Sequence, residues 1–578
     1  MAASKATIGL DLDTGNTLDR ATIAWIESFR PSIGGSIGKL QSLNCIQRMP
    51  PITKHTLGEL EASCILNNPK LRHDINFDRE LHFRPNLDGP RGKAKMEEAE
   101  KYWVAVQAEF ELFIFVATDP EGATHREKPS FYPGLKKYQH RIPEMLMAAK
   151  AIILSMNEKS EIPGVREALD VDLIMQQLLR ATFDLAGLSQ FLEKMLKAHC
   201  APMRDTWVEK VCGRLYNGAI TNDCGMVVAG FRDLFGLLEA MKLDIVNHQI
   251  RHLRPVLLDS TVSFEHNYFK TRVGNSIKLA PIMEWYKASE QYIIPATDAQ
   301  AMSVRDVKFQ QFLNYFLTCL VEPRSLEELK RGKKPDPSLP ETFKLDHERA
   351  IELRHNIHAI IYSSICTQAL SMVMQMTRPT IVNSQNATKY ITKTLPVLLG
   401  RAPNNEKWIA AAGNIAVEIV RAATHDITED GSAIIADSGK FIANFNPIII
   451  TTTIETHLQR AFDQKSTQFI KGLKTHLPQV IEKTTELVSQ HKDKTATELA
   501  DTFVPRNTAA LVLEARKQKK IDAMLLEPIE GALTAVDEVA RRAAHISILH
   551  WRVWADMVYL KNHADSEDVI MTEEDELW

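Results

Sequence analysis

The sequence predicts an all-α fold: an elongated multi-helix bundle of long amphipathic helices with no substantial sheet. Three observations carry this. From about residue 95 to residue 562, apolar residues recur at i, i+3, i+4 and i+7, the spacing that gathers them on one helix face. Short Gly, Pro, Asn and Asp punctuation separates the segments, as between packed helices. No run of alternating apolar and polar residues stands out, and no fixed period marks a solenoid.

Taken in order, residues 1–48 carry Gly34, Gly35, Gly38 and Pro31 among many Ser and Thr, and predict an irregular segment. "FDRELHFRPNLDGPRG" (77–92) reads as an extended loop. A first helical half, 49–322, has helices near 136–158, 168–180, 185–198, 202–215, 226–254 and 300–321; the face of the first is Ile142, Met145, Leu146, Ala149, Ile152 and Ile153. Residues 323–343, with prolines among charges, predict an exposed Pro-rich, basic linker. A second half, 344–563, resumes with helices near 345–376, 387–400, 405–424, 455–476, 481–492, 507–526 and 530–562, before an acidic tail at 564–578.

Composition narrows the function classes. With 69 basic and 73 acidic side chains the net charge is −4, so no global field draws the chain to nucleic acid or anionic lipid. Seven cysteines (Cys45, Cys64, Cys200, Cys212, Cys224, Cys319, Cys366) form no close pairs of the kind disulfide frameworks or zinc sites use, which points to a reducing compartment. The start shows no secretory pattern. The run "FELFIFVA" (Phe110 to Ala117) is far shorter than the roughly 18 residues of a membrane span. A cytoplasmic or nuclear protein is the expectation.

Short motifs tempt without completing a chemistry. "IGLDLDTGNT" (Ile8 to Thr17) contains the Asp-Thr-Gly of aspartic proteases and resembles an ATPase phosphate hairpin, but both need a β-rich scaffold that the following helical pattern does not offer. "IGGSIGKL" places Ile33 where a phosphate loop needs its first glycine and Leu40 where it needs the Mg²⁺-binding hydroxyl. "LKRGKK" (Leu329 to Lys334) presents Lys330, Arg331, Lys333 and Lys334 as a candidate nuclear import signal, or as a solvated charge run. Without aromatic interleaving it makes no nucleic-acid groove.

The most informative stretch is "MKLDIVNHQIRHLRP" (Met241 to Pro255). His248 and His252 have the i, i+4 spacing of a zinc protease helix, yet Gln249 stands where the water-activating glutamate belongs, and no third ligand is evident. On a helical wheel the histidines extend a stripe of Leu234, Leu237, Leu238, Met241 and Ile245, which predicts half-buried histidines. Val246, Ile250 and Leu253 form a second apolar side. Between them Asp244, Asn247, Arg251 and Arg254 make a polar stripe, either a partner groove or a satisfied structural network. Pro255 should end or kink the helix there.

Several segments then resemble a known family. "MKLDIVN" followed by "LRP", "CAPMRD" (Cys200 to Asp205) and "LDVDLIMQQ" (Leu169 to Gln177) resemble, in the same order, segments of the T-complex protein 11 family. "MPPITKHTLGELE", "LRHDINFDRELHFRPNLDG" and "LPETFKLDHERAIELR" are similar to its fungal, suppressor-of-kinase type branch, and the resemblance spans roughly 49–560. It implies a non-enzymatic, all-helical protein that modulates cyclic-AMP and protein kinase A signalling through protein contacts, with no catalytic residues or cofactor to carry over. A helical scaffold with an unrecognised metal or nucleotide site, or a nuclear regulatory factor, is the alternative.

The matched positions also have physical readings. Asp170 or Asp172 suits a helix N-terminus, with Gln176 and Gln177 inside that helix. Pro202 suits a first helical turn that includes Arg204 and Asp205. Cys200 reads as a small buried hydrophobe with nothing nearby to activate it. The candidates for partner binding or a structural network are therefore Asp172, Gln176, Gln177, Arg204, Asp205, Asp244, Asn247, Arg251, Arg254 and Pro255.

Overall fold

A computed structural model describes residues 48–84, 89–118, 140–156, 162–180, 182–273, 275–292, 302–321, 339–377, 385–400, 403–427, 433–435, 446–504 and 535–560. The predictions for 1–47, for the import signal at Lys330, Arg331, Lys333 and Lys334, for the helix at 507–526 and for the acidic tail lie outside these residues.

The elements in order are α1 (Ala62–Leu66), α2 (Pro69–Asp74), α3 (Gly89–Thr118), α4 (Arg141–Leu154), α5 (Ile162–Ala168), α6 (Val171–Leu179), α7 (Leu185–His199), α8 (Asp205–Thr221), α9 (Cys224–Asp259) and α10 (Thr261–Lys270). There follow α11 (Leu279–Ser289), α12 (Val304–Val321), α13 (His347–Thr377), α14 (Gln385–Leu399), α15 (Asn405–Ala410) and α16 (Ala412–Thr424). A two-stranded antiparallel ribbon, β1 (His425–Ile427) with β2 (Ala433–Ile435), precedes α17 (Pro447–Ala461), α18 (Thr467–His491), α19 (Ala496–Phe503) and α20 (Ala535–Trp554). The protein is all-α, and three residues per strand make no substantial sheet.

The chain divides into two compact units. The first takes residues up to Asn68 and Glu80–Arg254; the second takes Pro69–Arg79 and everything from Pro255. In the first unit all six predicted face residues of α4 are buried. They pack with Tyr102, Val106 and Phe110 of α3 and with Leu192, Val211, Leu215 and Phe231 of α7 to α9. The α3 carboxylate of Glu109, fully buried, accepts from the backbone N–H groups of Arg141 (2.7 Å) and Ile142 (3.1 Å), so a side chain from one helix satisfies the orphan donors of another. Helices α8 and α9 turn at Asn222, whose φ of 53° is left-handed. A Cβ at Gly218 would lie 2.9 Å from the Val227 backbone nitrogen, so glycine is what allows that turn to close.

The second unit has two apolar clusters. One is aromatic, built from Phe309, Phe312, Phe316, Phe343, Trp551, Trp554 and Tyr559. The other gathers Tyr362, Trp408, Phe462 and Phe469 around the C-terminal half of α13 and α16. Helix α13 is long and apolar enough by length and composition to cross a bilayer. Leu353 and Ile357 lie in the first of these clusters and Ile361, Ile365, Leu370 and Val373 in the second, which is the position of a core helix, while Met372 is exposed.

Several expectations are corrected. Residues 77–92 are not one loop, because α3 already begins at Gly89. The predicted segments 455–476 and 481–492 are cut differently, as α17 and α18. Buried Phe462 follows α17, and Ser466 caps α18 by accepting from the Phe469 N–H. Of the linker 323–343, Thr342 and Phe343 are buried, not exposed. Pro255, expected to end or kink α9, does not end it; α14 runs through Pro396, as the predicted helix 387–400 does, and α18 runs through Pro478, in the gap between the two predicted segments. Arg251, Pro255 and Val256 are exposed, so water can reach the turn that loses its donor, while Leu257 and Leu258 beyond it are buried and hold the helix on.

Candidate functional site: two polar networks

Helix α9 buries the N-terminal part of the first predicted stripe, Leu234, Leu237, Leu238 and Met241; beyond Met241 the buried side passes to Val246 and Ile250 of the second, with Leu257 following. Ile245, His248 and His252 face outward, so the histidines are exposed and not half-buried. The reason is register: the turn 243–250 presents Leu243, Val246 and Ile250 to the core, three branched apolar groups against two polar rings. The His252 ring nitrogen Nδ1 lies 3.1 Å from the His248 carbonyl, tying one ring to its own helix. Among the described residues no group of three or more His, Cys, Asp or Glu is placed to hold a metal ion.

The polar stripe splits. Asp244 receives both Nε (2.5 Å) and Nη2 (2.9 Å) of Arg204, a bidentate pair that ties the turn before α8 to α9 and raises the Arg204 pKa through the Asp244 hydrogen bond. Asn247 acts as a backbone clamp: Oδ1 accepts from the Phe83 N–H (2.6 Å) and Nδ2 donates to the Phe83 carbonyl (3.2 Å). Arg251 and Pro255 are exposed and Arg254 is partly buried. Because the backbone N–H and C=O of Phe83 both depend on it, Asn247→Ala is expected to lower stability by about 1–2 kcal/mol, and Asp244→Ala, at a partly exposed pair, by no more than about 1 kcal/mol. Urea denaturation of the two variants checks the order; a larger loss for Asp244→Ala would contradict it.

The segments preceding α9 behave as helix boundaries. Asp170, not Asp172, is the cap of α6, accepting from the Leu173 N–H at 3.1 Å; Asp172 and Gln176 are exposed and Gln177 is partly buried. Pro202 opens a short 3-10 turn, Pro202–Arg204, ahead of Asp205 at the start of α8. Cys200 is only partly buried. Its thiol donates to Asp205 Oδ1 (3.4 Å), and desolvation together with that carboxylate raises its pKa, so it is held as a thiol.

A second network, in the second unit, was missed by sequence reading. His73, on α2, is buried between two buried carboxylates: Nδ1 is 2.9 Å from Glu265 of α10, and Nε2 is 2.7 Å from Asp346, just ahead of α13. A neutral imidazole has one N–H and cannot donate to both, so the pair of acceptors selects the imidazolium. Burial by itself lowers the His73 pKa, but the charges and hydrogen bonds of Asp346 and Glu265 outweigh it and hold the value at about 10. Asp346, despite burial, is held well below the usual carboxylate range by His73 and Arg349. With both ring nitrogens committed to carboxylates, His73 has no lone pair for a metal.

The network extends outward. Arg349 donates Nη1 to Asp346 Oδ1 (3.1 Å) and Nη2 to Asp74, and its guanidinium lies 4.1 Å from the Phe77 ring centre. Arg72 donates to Ser260 Oγ (2.8 Å) and lies over Phe264. Asn76, fully buried, donates to the carbonyls of Arg72 and His73. Phe77 meets the ring of His545 at 4.5 Å. The only sequence signal for this cluster was that "LRHDINFD" and "LDHERAIELR", both quoted for family resemblance, carry its halves; their 273-residue separation hid the pairing of His73 with Asp346.

Comparison with known proteins agrees with this weighting of segments. The family pattern described as T-complex protein 11 matches residues 71–563, beginning at the helix that carries His73. The chain is 30% identical to Protein SOK1 of Saccharomyces cerevisiae over 383 residues, 64% of this chain and 40% of that protein. It is 27% identical to T-complex protein 11 of Mus musculus over 224 residues, 36% of this chain and 37% of that protein. Against the T-complex protein 11 homolog of Homo sapiens it is 32% identical over 130 residues, covering 22% of this chain and 24% of that protein. The chain thus spans about two fifths or less of these relatives' length. No solved structure matches significantly. With its pattern matched over most of its length, the chain belongs to the T-complex protein 11 family.

Proposed function

We propose that this chain is a non-enzymatic signalling protein that modulates a cyclic-AMP and protein kinase A pathway through protein contacts, in the cytoplasm or the nucleus. The observation that carries the reading is membership in the T-complex protein 11 family, with similarity to a fungal member over 64% of this chain. The polar residues singled out in the family-like segments, Arg204, Asp244 and Asn247, tie helices together, which is the chemistry of a scaffold. Contact surface is available on α14 and α17, where Val397, Ile448 and Ile449 are large apolar side chains exposed by 83%, 76% and 63%.

The test is affinity purification from cells with and without elevated cyclic AMP, comparing wild type with Ile448→Asp/Ile449→Asp and with Arg251→Glu. Kinase-pathway proteins are expected to co-purify, at least fivefold less with the α17 variant, with unchanged thermal stability because both side chains are exposed. Complexes without signalling proteins above background, together with unaltered kinase-pathway phenotypes on deletion, would remove the reading. For nuclear entry, Lys330→Ala/Arg331→Ala is expected to shift the protein to the cytoplasm; unchanged localisation would remove that part.

A further inference from the structure

Pro69–Arg79 is anomalous in the chain. The residues before it and after it belong to the first unit, yet these eleven pack into the second. The segment is bound there as a peptide ligand is bound, by side chains whose partners are remote in sequence. Lys70 donates to the Leu345 carbonyl (3.1 Å), Arg72 to Ser260, and His73 to Glu265 and Asp346. At its far end Arg79 donates Nε to the Val504 carbonyl (3.0 Å) and Nη2 to the carbonyls of Ala500 (3.3 Å) and Asp501 (3.0 Å), and pairs with the Asp501 carboxylate (2.8 Å).

The receiving surface is mixed in charge and matched to the segment group by group. It offers the buried Glu265 and Asp346 carboxylates and the C-terminal carbonyls of α19, where the helix dipole is negative, and a cation, Arg349, which takes Asp74 of the segment. The segment supplies the complement: four basic groups (Lys70, Arg72, His73, Arg79) against two acidic ones (Asp74, Asp78), Asp74 meeting Arg349, with Leu71, Ile75 and Phe77 as apolar anchors. Ile75 is fully buried and Phe77 lies between His73, His545 and the Arg349 guanidinium. Without the segment, the buried Glu265 and Asp346 carboxylates lose the His73 ring that lies between them, and among the described residues only Asp346 keeps a cation, Arg349, an arrangement that favours a cationic occupant beside Glu265.

We propose that the second unit contains a binding site for a short, net-basic peptide of the pattern Lys-Leu-Arg-His-Asp-Ile-Asn-Phe-Asp-Arg, and that the chain's own Pro69–Arg79 occupies it as an internal ligand. Binding depends on the Arg72 and His73 side chains docking against Ser260, Glu265 and Asp346, and on Arg79 at the end of α19. This inference stands independently of the signalling role.

The test uses the full chain with protease recognition sequences placed at Asn67/Asn68 and between His82 and Phe83, so that the Phe83–Asn247 clamp stays with the protein, cut only after folding. The excised peptide is expected to co-elute with the cut protein at one per chain. A labelled synthetic peptide of residues 67–82, exchanged in under mild denaturant, is expected to bind at least tenfold tighter than the same peptide with Arg72→Ala and His73→Ala, and to weaken as salt is raised. Because the substitutions are in the peptide, the protein's own folding is untouched. Loss of the excised peptide while the helical signal persists, or equal binding of the two peptides, overturns the proposal; so does a cut protein that unfolds and is not restored by added peptide.

Discussion

Replacing Asp346 by alanine is expected to lower the unfolding free energy of the second unit by about 3–5 kcal/mol, the largest effect of any single substitution considered for this chain. The loss arises because both partners that Asp346 serves are left short. The His73 imidazolium keeps only Glu265, and Arg349 loses one of its two carboxylates, keeping Asp74 and the Leu345 carbonyl. His73 and Glu265 stay buried, so water cannot replace the missing carboxylate without opening the fold. Asp346→Asn retains an oxygen that can accept from His73 Nε2–H and is expected to cost less. Hydrogen exchange of the α13 and α20 amides isolates the second unit from the first. A loss below about 1 kcal/mol for Asp346→Ala would mean that the network is dispensable.

The second large effect is a stability maximum near pH 6.5. His358, His545 and His550 are buried, and desolvation lowers each pKa to about 3 from the ordinary 6.5. The folded state keeps them neutral while the unfolded chain protonates them. Their contribution is therefore complete above pH 6.5 and is lost as pH falls towards 3, at on the order of 1 kcal/mol per pH unit for each. His73 has the opposite sign. Raised to about 10, it contributes fully below pH 6.5, and that contribution drains away between pH 6.5 and 10 as the unfolded imidazole loses its preference for the proton first. Asp346, held below its ordinary value, adds a further loss only below that carboxylate range. Denaturant titrations from pH 4.5 to 9 should trace a dome. His73→Gln should flatten its alkaline side and His545→Phe should make its acid side shallower; a flat wild-type profile would sink the assignment.

The helical faces were the most legible feature. In α4 the periodic residues from Ile142 to Ile153 are the buried ones, because a 14-residue helix against a core must bury one stripe and the sequence shows a single candidate. In α9 the sequence shows two apolar sides; the stripe that ends in His248 and His252 is buried from Leu234 to Met241, and beyond that point the other side takes over. Packing chose Val246 and Ile250, since burying two imidazoles without partners costs more than exposing Ile245. Pro255 misled as an expected end of α9: it removes one donor, a local cost that burial of Leu257 and Leu258 beyond it exceeds.

Of the polar candidates, Asp170 and Pro202 could be placed because caps act within three residues, a range visible in one dimension. Asp244 and Asn247 were visible as a stripe, but their partners Arg204 and Phe83, 40 and 164 residues away, were not. Local chemistry, helix class and family membership are properties of short segments, and the amino-acid order alone specified them. The ionic state of His73, the neutrality of His545 and His550, and the capture of Pro69–Arg79 by the second unit required the folded chain. Each depends on groups hundreds of residues apart being brought within hydrogen-bond distance and shut away from water, where desolvation makes the choice of partner decisive.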